Sequence, residues 1–98
     1  MSTPRQPEAI IAALSVRGLL HLVDTACASR GVTRQELCGR DRSRALSAAR
    51  QELWWLICNH PEHRYSPQAI ARIIGRHRST VLFGIAAHQR RQAAAAQP

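Results

Sequence analysis

The chain has 98 residues, and its 14 Lys and Arg residues against 6 Asp and Glu residues give a net charge of +8. This length allows one small core. All 14 of these basic residues are arginines. The planar guanidinium of arginine fits phosphates and guanine edges, and together with the net positive charge it predicts a polyanionic partner. No apolar run reaches the roughly 18 residues of a membrane span. The lack of lysine excludes a phosphate-binding loop of the Gly-x-x-x-x-Gly-Lys type.

The N-terminal part of the chain predicts a disordered lead-in and then one long helix. Residues 1–6 are polar and contain a proline. Pro7 suits a first helical position, with Glu8 in the first turn, and Gly31 suits the end of the helix. Between them, apolar residues recur at close to helical spacing. They are Ile10, Ile11, Leu14, Leu19, Leu20, Leu22, Val23 and Cys27.

Two further helices are predicted, separated by a basic loop. Thr33 and Glu36 match a capping box, so a short helix should run to Cys38 before Gly39 stops it. Residues 39–44 form a polar loop with an arginine at every second position. The next helix covers residues 45–59, with an apolar stripe for the core. That stripe is Leu46, Ala49, Leu53, Leu56 and Ile57.

The segment from residue 66 to residue 91 predicts a helix, a glycine turn and a second helix. Ser66 is a cap with Pro67 at the first helical position, and Gly75 makes the turn. Ser79 or Thr80 would cap the second helix, which should run to about residue 91, ahead of an alanine-rich tail at 92–98. The inner faces would be Ile70, Ile73 and Ile74, then Val81, Leu82 and Ile85.

This layout is that of a helix-turn-helix, whose second helix enters the DNA major groove. Ala71, four residues before Gly75, is small enough to let the two helices approach. An ordinary helical hairpin with a glycine turn is the alternative. No acidic residue follows Glu62, and donor side chains open the second helix, which favours DNA binding. These donors are His77, Arg78, Ser79 and Thr80.

Three blocks in this chain occur in a recognisable order and spacing. Residues 31–37 read Gly-Val-Thr-Arg-Gln-Glu-Leu, residues 40–44 read Arg-Asp-Arg-Ser-Arg, and residues 75–82 read Gly-Arg-His-Arg-Ser-Thr-Val-Leu. From Val23 to Arg91 the chain resembles the C-terminal DNA-binding domain of the bacterial replication initiator DnaA. The last block is similar to that family's signature, usually Gly-Arg-Asp-His-Thr-Thr-Val.

The resemblance implies an all-α domain of four to five helices, with a Trp-repressor-like helix-turn-helix, over residues 7–91. It also implies a two-part readout of double-stranded DNA, with the signature helix in the major groove. Arg44 matches the family's minor-groove arginine, and Arg50 and Gln51 match positions that approach the backbone. The predicted DNA-binding residues are Arg40, Arg42, Arg44, Arg50, Gln51, Ser66, Arg76, His77, Arg78, Ser79 and Thr80.

The chain also departs from the family pattern. His77 stands where the family keeps Asp, and Arg78 stands where it keeps His. An arginine can bind O6 and N7 of guanine, so we expect a target different from the initiator's own site and containing guanine. The turn is one residue shorter than in most initiators, and Ala49 replaces a usual proline.

Catalytic and metal sites have little support in the sequence. Cys58, His60 and His63 lie close together, but spacing fixes no fourth ligand, so no metal or other cofactor is predicted. The six acidic residues are scattered and form no acid-base pair, so we expect no enzyme activity. Three cysteines without a Cys-x-x-Cys pattern are typical of a reduced cytoplasm, where the protein would be nucleoid-associated.

These observations favour sequence-specific duplex DNA binding by a transcriptional regulator, or by the DNA-binding part of one, of the kind found in phages and mobile elements. One alternative is a replication or plasmid-control factor, and transcription or replication proteins are possible partners of either. The other alternative is a protein–protein interaction module. In that module the Trp54 and Trp55 face or the N-terminal helix would dock, and the basic face would be incidental.

Overall fold

The computed structural model describes residues 6–62 and 64–96. These ranges contain six α-helices and no strand, which confirms the predicted all-α class with one helix more than expected. The helices are α1 (Pro7–Val16), α2 (Leu20–Arg30), α3 (Arg34–Cys38), α4 (Arg44–Cys58), α5 (Pro67–Ile74) and α6 (Arg78–Ala96). Residues 1–5 of the predicted lead-in, His63 and the last two residues of the predicted tail lie outside the described ranges.

The prediction of one long N-terminal helix is wrong, because the chain turns between α1 and α2. Gly18 has a φ of +71°, a left-handed conformation that glycine adopts without strain. The Leu19 N–H donates to the Leu14 carbonyl at 3.0 Å, which closes the turn. Both leucine side chains are fully buried, so the break turns two apolar segments toward the same core. Gly31, also left-handed, ends α2 as predicted.

Local capping sets the starts of α3 and α4. The capping box is confirmed, with the Glu36 N–H donating to Thr33 Oγ1 at 3.1 Å and the Thr33 N–H donating to Glu36 Oε1 at 2.9 Å. In α4 the Ser43 hydroxyl accepts from the Leu46 N–H at 3.1 Å. Arg44, predicted in the loop, is therefore the first residue of α4.

The helix, glycine turn and second helix predicted from the sequence are present as α5, Gly75 and α6. The Ser66 hydroxyl accepts from the Ala69 N–H at 3.1 Å, and Gly75 is left-handed with a φ of +71°. The prediction of Ser79 or Thr80 as the next cap is wrong. The Thr80 N–H already donates to the His77 carbonyl at 3.1 Å, because α6 starts at Arg78, only three residues after the turn glycine.

The inner face of α6 follows helical spacing more strictly than predicted. Val81 and Ile85 are buried, as expected, and Gly84 and His88 continue the same stripe. Leu82, predicted to face inward, is 44% exposed, because one residue beyond Val81 rotates the side chain by about 100°. α6 continues through Ala96, so the described part of the predicted alanine tail is helical.

Helix α4 runs through the middle of the molecule and packs against both α2 and α6. Its apolar stripe is confirmed, with Leu56 half-buried and the other four members buried. Trp54 is also buried and lies against Gly84 of α6. A β-carbon built on Gly84 would come within 2.5 Å of two carbons of the Trp54 ring, so only glycine allows this approach.

Candidate nucleic-acid interface

The basic loop between α3 and α4 is held in place by the side chain of Arg50. Its Nε donates to the Leu37 carbonyl at 2.8 Å, and its Nη1 donates to the Asp41 carbonyl at 2.7 Å. Its Nη2 donates to the carbonyls of Glu36 and Gly39, each at 3.0 Å. One guanidinium thus satisfies four main-chain acceptors around the end of α3 and the start of the loop.

This geometry gives Arg50 a different place from the predicted contact with the DNA backbone. The residue is only 7% exposed, and its guanidinium is engaged by the protein's own carbonyls. Burial lowers its pKa, and the nearby positive charge of Arg76 lowers that pKa further. Arginine still keeps its charge in proteins, so Arg50 positions the loop with a buried cation.

The structure brings the basic loop and the turn between α5 and α6 together at one open groove, which we call the central groove. Arg42 approaches from the loop and Arg76 from the turn, with Ser79 and Thr80 at the start of α6. The remaining lining comes from α4 and from Phe83 of α6. Because the two segments lie over thirty residues apart in the chain, only tertiary packing makes them neighbours.

A second hollow next to the central groove brings Arg40 into the same surface. Arg40 and Arg42 line it on the loop side, and Gly75 and Arg76 line it on the turn side. All three arginines are exposed. The predicted phosphate-contacting loop therefore lies directly beside the turn between α5 and α6.

Arg44 lines a different groove, which we call the lateral groove. It shares this groove with Arg42, Arg30 from the end of α2 and Arg91 from α6. Arg30 Nε is 3.8 Å from Glu52 Oε1, and Arg91 donates a hydrogen bond to the side-chain oxygen of Gln51. Gln51, predicted to approach DNA, is thus half-buried and engaged with Arg91. Among the described residues, no acidic side chain lines this groove, the central groove or the hollow at Arg40.

The first residues of α6 divide between two sides of the helix. His77 Nδ1 accepts from the Ser79 N–H at 3.1 Å and lies 2.6 Å from the Ser79 hydroxyl oxygen. The histidine therefore caps α6 and holds Ser79 near the central groove. Arg78 points to the other side, where it lines a small hollow with Ser66 and Leu82.

Three residues of this surface escaped the sequence-based prediction. Arg30 and Arg91 carry no local motif, and only packing against α4 brings them beside Arg44. Phe83 is 67% exposed and borders the central groove. Its position two residues after Val81 is a usable signal, because that spacing places it off the buried stripe of a helix.

Several other features of the molecule do not form a site. Within residues 6–62 and 64–96 no group of three His, Cys, Asp or Glu side chains is arranged to hold a metal ion, and His63 of the predicted cluster is outside those ranges. Cys27 and Cys38 are both buried, and burial raises the pKa of Cys38 to about 11. None of the described helices is long and apolar enough to span a membrane.

Comparison of the chain with protein-family models, with curated proteins and with solved structures returned no match. The case for a function therefore depends on the geometry of the basic surface and on the motifs that build it.

Proposed function

We propose that this protein binds duplex DNA sequence-specifically with its α5–α6 helix-turn-helix. The observation that carries the proposal is the convergence of Arg42 and Arg76 with Ser79 and Thr80 on the central groove. These side chains come from two separate segments and are all hydrogen-bond donors, which suits an anionic partner with readable base edges. The net charge of +8 adds the long-range attraction that DNA binding uses.

In this arrangement α6 enters the major groove and the basic loop follows the adjacent phosphates. Arg40 and Arg42 are exposed beside the turn, where phosphate oxygens would flank an inserted helix. Arg44, Arg30 and Arg91 extend the positive surface past the start of α4, toward the neighbouring minor groove. The role of Arg44 as a minor-groove probe comes from the resemblance to the initiator domain.

The same resemblance, without the initiator's ATPase, favours a transcriptional regulator or the DNA-binding part of one, acting on DNA in the cytoplasm. A replication or plasmid-control factor would use the same surface. The interaction-module alternative loses part of its basis, because Trp54 is buried against Gly84 and only Trp55 of that pair is partly exposed.

Salt dependence tests whether the basic surface binds DNA. We expect the affinity for a random-sequence duplex to fall steeply with salt, by about 0.9 in log K per unit of log salt for each phosphate contact. Arg42→Ala should lower the magnitude of that slope by about 0.9, the value expected for the loss of one phosphate contact. Arg17→Ala removes another exposed arginine, one that lines none of the three hollows, and it should leave the slope nearly unchanged. The absence of measurable duplex affinity at low salt would favour the interaction module instead.

Selection from random duplexes tests sequence specificity. We expect a guanine-containing site, different from the initiator's own box, in which Arg78 contacts a guanine edge from the other side of α6, where it lines the hollow with Ser66 and Leu82. Arg78→Ala should cost about 1–3 kcal/mol on that site and relax the preference at one position. Uniform weakening of all sequences by Arg78→Ala, as expected for Arg42→Ala, would contradict base reading by Arg78.

A further inference from the structure

Phe83 is a large exposed aromatic side chain that borders the central groove beside its arginines and hydroxyl groups. It is 67% exposed, and it lines the central groove beside Ser79, Thr80, Arg42 and Arg76. It follows Ser79 by four residues and Thr80 by three, so the three side chains share one face of α6. Any partner that lies against the two hydroxyls also meets the phenyl ring.

Arg90 of the same helix lies over the Phe83 ring. The guanidinium carbon of Arg90, two turns further along α6, lies over the ring at 5.8 Å from its centroid. A cation over an aromatic face is attracted by the ring quadrupole. One face of the ring is thus occupied by the protein, and the remaining surface borders the groove.

The major groove offers one apolar group at a base edge, the C5-methyl group of thymine. One turn of helix advances about 5.4 Å, while successive base pairs are about 3.4 Å apart. A ring one turn beyond Ser79 therefore meets a base pair one or two steps from the one that Ser79 and Thr80 contact.

We propose that Phe83 is a specificity-determining residue that packs on the C5-methyl group of a pyrimidine, selecting thymine at one position of the target site. This inference depends on the proposed function. The methyl group of 5-methylcytosine has the same position and chemistry, so the test must separate the two bases.

The experiment uses the full chain and the site obtained by selection. Each thymine is replaced in turn by uracil, which removes only the methyl group and keeps base pairing. The wild-type chain should lose about three- to fivefold in affinity at one position, the factor expected from exposing one buried methyl group. At that position, cytosine should bind more weakly than thymine, and 5-methylcytosine should recover part of the loss.

Two variants test whether the loss of affinity on replacement of thymine by uracil depends on the Phe83 ring. Phe83→Ala should bind thymine and uracil duplexes equally well, and it should keep its fold because the side chain is mostly exposed. Leu82→Ala is the matched control, because Leu82 is the adjacent exposed apolar residue on another side of α6 and lines the hollow near Ser66. That variant should retain the preference for thymine over uracil.

The outcomes separate this inference from the proposed function. Salt-dependent binding to a selected site, with no uracil substitution having an effect, would overturn the role of Phe83 and leave DNA binding intact. A preference for thymine that survives in Phe83→Ala would also overturn it. Absence of any duplex affinity would overturn both proposals. A larger gain from 5-methylcytosine than from thymine would replace thymine selection by recognition of methylated DNA.

Discussion

At the scale of single residues, Arg50 shows how a charged side chain can act as structural support. Four carbonyls from the end of α3 and the loop converge on one guanidinium that is 7% exposed. Removal of the side chain would leave buried acceptors unpaired, which costs more than the hydrogen bonds contribute net. The position of the arginine loop thus depends on a residue that is itself almost fully buried.

We therefore expect Arg50→Met to lower the free energy of unfolding by about 3 kcal/mol. Arg50→Lys should recover only part of this, because one ammonium cannot reach all four carbonyls. Urea unfolding measures both, with Arg40→Met as the control at an exposed loop position. Equal effects of Arg50→Met and Arg40→Met would contradict the supporting role of Arg50.

At the scale of secondary-structure elements, the contact between α4 and α6 determines where α6 lies. Gly84 is in the middle of α6, where glycine costs about 1 kcal/mol of helix propensity relative to alanine. The missing side chain leaves room for the Trp54 ring, and a β-carbon there would also lie 3.0 Å from Gln51 Cγ. Close packing between the two helices therefore outweighs the loss of propensity.

Gly84→Ala should destabilise the fold by about 1–3 kcal/mol despite the better helix former, because the rigid indole cannot move aside freely. Gln89→Ala, on the exposed side of the same helix, should have an effect near zero. Thermal unfolding compares the two variants. Stabilisation by Gly84→Ala would show that α6 can shift away from α4 without cost.

At the scale of the whole molecule, we expect one buried histidine to make stability depend on pH. His88 is 7% exposed, lies 5.3 Å from the Trp55 ring, and its Nδ1 has no hydrogen-bond partner among the described residues. Burial lowers its pKa below the ordinary value of 6.5; Arg91 and Arg30 lower that pKa further, whereas Glu52 opposes the shift. The unfolded chain therefore takes up the proton first as the pH falls.

Neutral His88 makes its full contribution to the free energy of unfolding above about pH 6.5. That contribution is lost as the pH falls through this value toward the folded-state pKa. We expect the free energy of unfolding to decrease between pH 7.5 and 5.5, and His88→Leu to reduce this decrease. Gln92→Leu adds the same side chain at an exposed position and should keep the pH dependence. An unchanged slope in His88→Leu would rule out His88 as its source.

Much of the secondary structure is predictable because its signals are local. A capping residue and its hydrogen-bond partner lie three residues apart, as in Thr33 with Glu36 and in Ser66 with Ala69. A short stretch of sequence therefore contains both partners of the interaction. The break at Gly18 was missed because its neighbours continue an apolar pattern that also suits an unbroken helix. The cap at His77 was missed because Ser79 and Thr80 are stronger caps by residue type.

The sequence by itself determined the all-α class, the large excess of arginine, and the starts of four of the six described helices to within about a residue. Only the tertiary structure decided which arginines share a surface. Arg42 and Arg76 meet at the central groove, Arg44 lies with Arg30 and Arg91, and Arg50 is buried under the loop. Composition records how many charges a chain carries, but their grouping depends on how α4 packs against its neighbours.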